Sequence, residues 1–318
     1  MLKLDLKDRK ILYELDKNAR LSTAQLGKKI GLSTEVVHYR LKKLEEHIIT
    51  GYHTVINFAK IGLIHYKICL KFNGVPLEKE EEYYQKLKKI PQATWIARCR
   101  GEWDCMVSCD VKNLEELDLV KNQVLILGKE IILQKAISML VDFYSQPRDF
   151  LVNTSRKDFI EIKNKQPVNL DDIDLKILRI LSENSRTKIV EIAQKTNSTI
   201  KIVSSRIKKL LKAQVIHFFR LVLDYEQLGL KFYKTFFYLK NPNQERINLL
   251  WNKLKSNPHV IHNLKVIGEW DLEPEFEFEK EEDFEKTKQE LMNEFSDIIR
   301  HISVIDIIKE YKFTFFYK

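Results

Sequence analysis

Residues 22–47 read STAQLGKKIGLSTEVVHYRLKKLEEH. Ser22 followed three positions later by Gln25 is a capping box that opens a helix. Gly31 ends it, because glycine enters a left-handed turn without steric cost. Ser33 then caps a further helix in which Val37, Leu41 and Leu44 recur at i, i+4 and i+7 and face inward. Ahead of both, Ile11, Leu12 and Leu15 share one face of an earlier helix. Three short helices, the last two joined by a tight turn and the last one basic, form a helix-turn-helix pattern.

The same plan returns 166 positions later. Between residues 8–44 and 174–210 there are 13 identities in 37 positions, among them Asp8/Asp174, Leu15/Leu181, Arg20/Arg186, Val37/Val203, Arg40/Arg206 and Leu44/Leu210. Thr199 takes the place of the Ser33 cap, and Asn197, the next best residue for a left-handed turn, stands where Gly31 does. After a one-residue change near His47 and Gln214 the spacing becomes 167 and holds to Gly101-Glu-Trp-Asp104 and Gly268-Glu-Trp-Asp271. That period is far longer than a solenoid repeat, so the chain is a duplicated two-domain unit.

In each copy a β-branched and aromatic run, IITGYHTVINF or VIHFFRLVLDY, follows the third helix and suits a strand or small wing. The remainder reads β-α-β-β-α-β, which predicts an antiparallel sheet with both helices on one face, ferredoxin-like. The opposite face needs cover, and a second such sheet supplies it. Gly-Glu-Trp-Asp falls between the second and third strands, where a tight hairpin uses the glycine. Pro274 lacks a backbone donor and predicts an edge strand or a bulge. The expected fold class is α+β, with two winged helix-turn-helix domains at 1–57 and 169–224 and ferredoxin-like domains at 58–145 and 225–318. A linker is expected at 146–168, polar and flanked by Pro147 and Pro167, with Phe150, Phe159 and Ile160 as residues able to dock.

The 318 residues carry 54 Lys plus Arg against 45 Asp plus Glu, a net charge of +9, which favours an anionic partner such as nucleic acid. No leader-like start and no apolar run of about 18 residues occurs, so a cytoplasmic protein with no membrane association is expected. Cys69, Cys99, Cys105 and Cys109 lack paired C-x-x-C spacing, which favours buried free thiols over a metal site.

For DNA, the outward face of the third helix decides. Copy two offers Lys201, Ser204, Ser205, Lys208 and Lys209, a mixture suited to phosphates and base edges. Copy one offers Thr34, Glu35, His38, Tyr39, Lys42 and Lys43; phosphates repel Glu35 unless it accepts a hydrogen bond from a cytosine amino group. The copies are therefore expected to be unequal readers. Arg40 and Arg206 sit beside the inward stripe, open to phosphate contact or to pairing with a carboxylate of the first helix.

A winged helix-turn-helix followed by β-α-β-β-α-β resembles the Lrp/AsnC (feast/famine) transcriptional regulators, here as two fused copies with RAM-type second domains. The resemblance rests on LDLKDRKILYELDKNARLSTAQLGKKIGLS, on LDDIDLKILRILSENSR, on the Arg-x-x-x-Leu of Arg40/Leu44 and Arg206/Leu210, and on the two glycine-to-aspartate hairpins. It implies a double-stranded DNA partner, dimerisation through the second domain, and an amino-acid-like effector near the hairpins, which makes Gly101, Asp104, Gly268 and Asp271 the effector-binding candidates. Two departures stand out: the glycine usual before the wing is missing in copy one, and Ala213-Gln214 stand at the matching place in copy two. The EPEFEFEKEEDFE run of copy two is also unusually acidic.

The leading expectation is a regulator, not an enzyme and without a cofactor, whose halves form an intramolecular pseudo-dimer over an asymmetric operator, with further association of whole chains left open. Two alternatives compete with it. Siroheme decarboxylase-like proteins share the domain pair, and VIHNLKV with His262 and Asn263 is faintly similar to a segment of theirs. A sensor or assembly protein that uses its helix-turn-helix domains as protein interfaces is the other.

Overall fold

The computed structural model describes residues 4–154, 166–241, 243–314 and 316. Copy one contributes α1 (Leu6–Lys17), α2 (Thr23–Ile30), α3 (Thr34–His47), β1 (Ile49–Ile56), β2 (Ile64–Phe72), α4 (Leu77–Leu87), β3 (Ala93–Arg100), β4 (Cys105–Val111), α5 (Leu114–Leu127) and β5 (Ile132–Ser145). Copy two contributes α6 (Asp172–Glu183), α7 (Ile189–Lys195), α8 (Ile200–Lys212), β6 (Ile216–Leu223), the single turn α9 (Tyr225–Leu228), β7 (Lys231–Leu239), α10 (Gln244–Ser256), β8 (Val260–Ile267), β9 (Leu272–Phe278), α11 (Glu281–Glu294) and β10 (Ile299–Phe313). The chain divides into two compact units, and each draws on both copies.

The first unit holds both three-helix sets. Ser22 and Gln25 form the capping box, Ser33 and Thr199 accept from the N3 amides of α3 and α8, and Gly31 and Asn197 adopt left-handed φ of 73° and 49°. Asp5 with Asp8 and Asp171 with Asp174 make two further capping boxes on α1 and α6. The strand after each third helix is completed by the other copy: β1 and β6 pair antiparallel with His53 opposite Arg220. Around that pair the contacts repeat with the copies exchanged. The Ala19 amide donates to the Phe219 carbonyl at 2.9 Å, as Ser185 does to Tyr52 at 3.0 Å, and the guanidinium groups of Arg20 and Arg186 lie over the rings of Phe219 and Tyr52.

The stretch expected as linker is packed where it begins. Gln146, Arg148, Asp149, Phe150 and Leu151 are buried, and Asp149–Val152 makes a 3-10 turn. Arg148 is drawn in by Asp16, which accepts from its backbone amide at 2.8 Å and from its Nη1 at 2.6 Å. Phe150 does dock; Phe159 and Ile160 lie outside the described residues.

In the second unit the two β-α-β-β-α-β sheets join edge to edge into one closed eight-stranded barrel, in the order β10-β3-β4-β2-β5-β8-β9-β7. The seams between copies are β5–β8 and β10–β3, both antiparallel. Strand alternation gives each sheet one face toward its helices. Tyr66, Ile68, Leu70, Val107 and Cys109 pack with Tyr83, Tyr84, Val120 and Val124 in copy one; Phe237, Leu272 and Phe276 pack with Leu250, Leu254 and Phe284 in copy two. The other faces meet in a third core built by both copies, including Cys69, Ala97, Trp103, Met106, Phe236, Leu264, Trp270 and Ile305.

The strand order within copy two overturns the edge-strand reading of Pro274 and leaves the bulge. Its strand β9 has neighbours on both sides, and its pairing with β8 shifts register opposite Phe276 and Glu275. The proline keeps its acceptor, which takes the Thr235 hydroxyl at 2.6 Å. All four cysteines are buried and free, and burial pushes the Cys99 and Cys109 thiols up to about 12.

Candidate nucleic-acid interface and hairpin sites

Burial sorts the third helices into two faces. Val37, Leu41 and Leu44 of α3 and Val203, Ile207 and Leu210 of α8 are inside. Thr34, Glu35, His38, Tyr39, Lys42 and Lys43 are exposed on α3, as are Lys201, Ser205, Lys208 and Lys209 on α8, with Ser204 half-buried. Every DNA candidate of each copy thus lies on one helix, and all except Ser204, Arg40 and Arg206 point to solvent.

The two arginines have carboxylate partners. Arg40 Nη1 lies 2.8 Å from Asp5 and 2.7 Å from Asp8; Arg206 Nη1 lies 2.6 Å from Asp171 and 3.1 Å from Asp174. These carboxylates, with Asp8 foremost for Arg40 and Asp171 foremost for Arg206, hold both guanidinium groups above the ordinary arginine range. Each arginine ties the third helix of its copy to the first. The aspartates of the α1 and α6 capping boxes were a usable signal, since each lies on the first helix beside the arginine's turn.

The faces differ in charge as the sequence implies. Glu35 is anionic at the first turn of α3, where its own backbone amide and the Ser33 hydroxyl hold its carboxyl below the usual range. The first turn of α8 carries Lys201 and no acid. Sequence reasoning passed over Val36, Ile200 and Ile202, apolar side chains exposed on the same turns, which are suited to contact with thymine methyl groups.

The two hairpins are held by their own aspartates. Asp104 accepts from the Phe72 amide at 2.8 Å and from Lys71 Nζ at 2.9 Å, and Asp271 accepts from the Leu239 amide at 2.8 Å. The glycines face the opposite copy. A Cβ on Gly101 would lie 2.9 Å from the Val304 carbonyl oxygen, and one on Gly268 would lie 2.7 Å from that of Ile137. Trp103 and Trp270, both buried, approach with ring centroids 6.5 Å apart. The Tyr238 hydroxyl donates to Glu102 at 2.6 Å.

Against this geometry, the AsnC-type helix-turn-helix domain model matches residues 4–45 and 170–211. An uncharacterized HTH-type transcriptional regulator of Pyrococcus horikoshii is 34% identical over 116 residues, covering 36% of this chain and 77% of that one. The HTH-type transcriptional regulator Ptr1 of Methanocaldococcus jannaschii is 35% identical over 115 residues, covering 36% and 76%. Among solved structures, the siroheme decarboxylase NirDL matches 96% of this chain and 92% of its own at a TM-score of 0.62 and 12% identity. This likeness corrects the expectation that the chain is not an enzyme: from end to end its architecture is one that an enzyme also has, so the fold gives no ground for that exclusion.

Proposed function

The chain belongs to the Lrp/AsnC family of transcriptional regulators, and we propose that it binds operator DNA through α3 and α8 as two different reading heads. The observation that carries this reading is the solvent-facing polar side of the third helix in each matched helix-turn-helix domain, with Lys201, Ser204, Ser205, Lys208 and Lys209 on one and Thr34, Glu35, His38, Tyr39, Lys42 and Lys43 on the other. Lysines at the flanks take phosphates and set register; the first turns meet base edges in the major groove. Because Glu35 faces one half-site and Lys201 the other, the preferred operator has unlike halves. Arg40 and Arg206 act from behind by fixing the reading helix to the first helix.

Selection of bound genomic fragments at fixed salt tests the proposal. An operator with dissimilar half-sites is expected, and Lys201→Ala/Lys208→Ala loses more affinity than Thr34→Ala/Glu35→Ala/His38→Ala. A perfectly palindromic optimum, or binding with no sequence preference, refutes it. Gly101, Asp104, Gly268 and Asp271 enter the reading as residues that shape the hairpins between copies. An amino-acid-type effector bound there raises the melting temperature of the barrel on titration.

The end-to-end likeness to NirDL favours tetrapyrrole binding as a second reading. An absorbance titration with an iron porphyrin decides it: a saturable band shift at one equivalent supports that reading, and a spectrum equal to the free pigment plus protein dismisses it.

A further inference from the structure

Lys67 and Lys234 occupy the same position in the two copies, on β2 and β7, and both are buried. Their partners are not duplicated. Glu273 of copy two, fully buried, takes Lys67 in a direct ion pair and lies 3.6 Å from Lys234, which also pairs with Glu275. Glu273 further accepts from Ser138 at 3.2 Å and from Trp270 Nε1 at 2.8 Å. The corresponding residues of copy one, 167 positions earlier, are Met106 and Ser108. Trp103, the counterpart of Trp270, accordingly has a buried Nε1 with no acceptor among the described residues.

The first unit holds a second unequal set. Buried Asp16 of copy one accepts from Arg220 of copy two at 2.8 and 3.1 Å and from Arg148 at 2.6 Å. The matching positions are Ser182 and His53, and a serine brings no carboxylate to that place.

We propose that these two buried clusters make copy one a surface that fits copy two and neither copy a surface for itself. Joined to copy two, the barrel core holds two lysines against Glu273 and Glu275, in balance. Two first copies would bury two Lys67 against Met106 and Ser108 with no carboxylate. Two second copies would bury two lysines against four glutamates. In the first unit, like pairing of second copies sets Arg220 against Ser182 in place of Asp16, and like pairing of first copies leaves Asp16 with Arg148 alone. An uncompensated buried charge is a costly defect in an interface, so the barrel selects the unlike partner, and the Asp16–Arg220 pair of the first unit favours the same choice. The occupant of either surface is the other copy, of the same chain or of a second chain exchanging with it.

Full-length variants test this. Glu273→Met is expected to lower the unfolding midpoint followed by tryptophan fluorescence. Met106→Glu/Glu273→Met, which moves the carboxylate to the symmetry-related position beside Lys234 and Trp103, is expected to regain at least half of that loss. No loss in the first variant, or no recovery in the second, overturns the proposal. Co-expression of differently tagged Lys67→Glu and Glu273→Lys chains is expected to yield a 1:1 complex that neither variant forms with itself, since exchange restores opposite charges in both barrels. Absence of that complex counts against the proposal even if the stability results hold.

Discussion

Replacing Gly101 and Gly268 separately by alanine distinguishes a glycine that frames an effector from one that lets the copies close. A methyl on Gly268 meets the Ile137 carbonyl oxygen at 2.7 Å and the Ser138 Cα and Cβ at 3.0 and 3.1 Å, so a backbone must move. Forcing atoms into a packed core costs about 1–3 kcal/mol. At Gly101 the Cβ meets the Val304 carbonyl oxygen at 2.9 Å, and φ is +129°, a region nearly closed to L side chains. Strain of about 1–3 kcal/mol adds to the clash there, so Gly101→Ala is expected to cost about 2–6 kcal/mol and Gly268→Ala about 1–3. All four tryptophans, Trp95, Trp103, Trp251 and Trp270, belong to the barrel unit. Urea unfolding followed by their fluorescence therefore reports that unit alone. If both variants unfold within about 0.5 kcal/mol of the parent, the close-approach argument is wrong, and the repeated glycines need another explanation.

Arg206→Ala and Arg40→Ala are expected to lower the melting temperature of the helical unit and leave the salt dependence of DNA binding unchanged. Arg206 has the larger effect because Asp174 is fully buried and Asp8 is not; a salt slope reduced by about one in either variant would make that arginine a phosphate contact. Among the described residues His217 finds no hydrogen-bond partner for either ring nitrogen, and burial lowers its pKa to about 4. The unfolded chain takes up a proton below about 6.5 and the folded one does not. Stability should therefore fall as pH drops from about 6.5 to 4, a slope that His217→Phe removes; an unchanged slope in the variant refutes the assignment. For Asp16, burial raises the carboxyl pKa, but Arg220 and Arg148 outweigh it and hold the group below its ordinary value. Its contribution is complete above about 3.9 and is lost as pH falls through the folded value. Asp16→Asn should cost about 3–5 kcal/mol at neutral pH by leaving two buried guanidinium groups without their carboxylate, and the loss should shrink in acid, as urea titrations at pH 7 and pH 3 would show.

The local elements were legible because each rests on short-range chemistry: Ser22 and Gln25 close a box three residues apart, Gly31 and Asn197 take up left-handed φ, and Val37, Leu41 and Leu44 mark one helix face. The duplication was legible for the same reason, as identities at fixed spacing. Arg40 and Arg206 were ambiguous in sequence because phosphate and carboxylate make the same demand on a guanidinium, and only the distance to Asp8 or Asp174 separates them. Asp16, Lys67 and Glu273 gave no sign at all. Asp16 is in an otherwise ordinary amphipathic helix, and its partners lie 132 and 204 positions away; Lys67 and Glu273 are 206 apart. Of the two readings of Pro274, the edge strand fails because β9 lies between β8 and β7 of its own copy, and the bulge holds, since the register shift of the β8–β9 pair falls beside it.

Fusion explains why such long-range pairs arise at mirrored positions. In a dimer of identical chains, a change to glutamate at position 273 would enter twice beside a duplicated Glu275 and set four carboxylates against two lysines. In one chain that carries both partners it enters once, and Lys67 and Lys234 already stand beside it. A single substitution can then be favourable on one side of the axis and absent from the other, as it is at Met106/Glu273, Ser108/Glu275, Asp16/Ser182 and His53/Arg220. The same freedom acts at Glu35 and Lys201 on the reading helices: once pairing no longer requires equality, neither does the sequence that each helix faces.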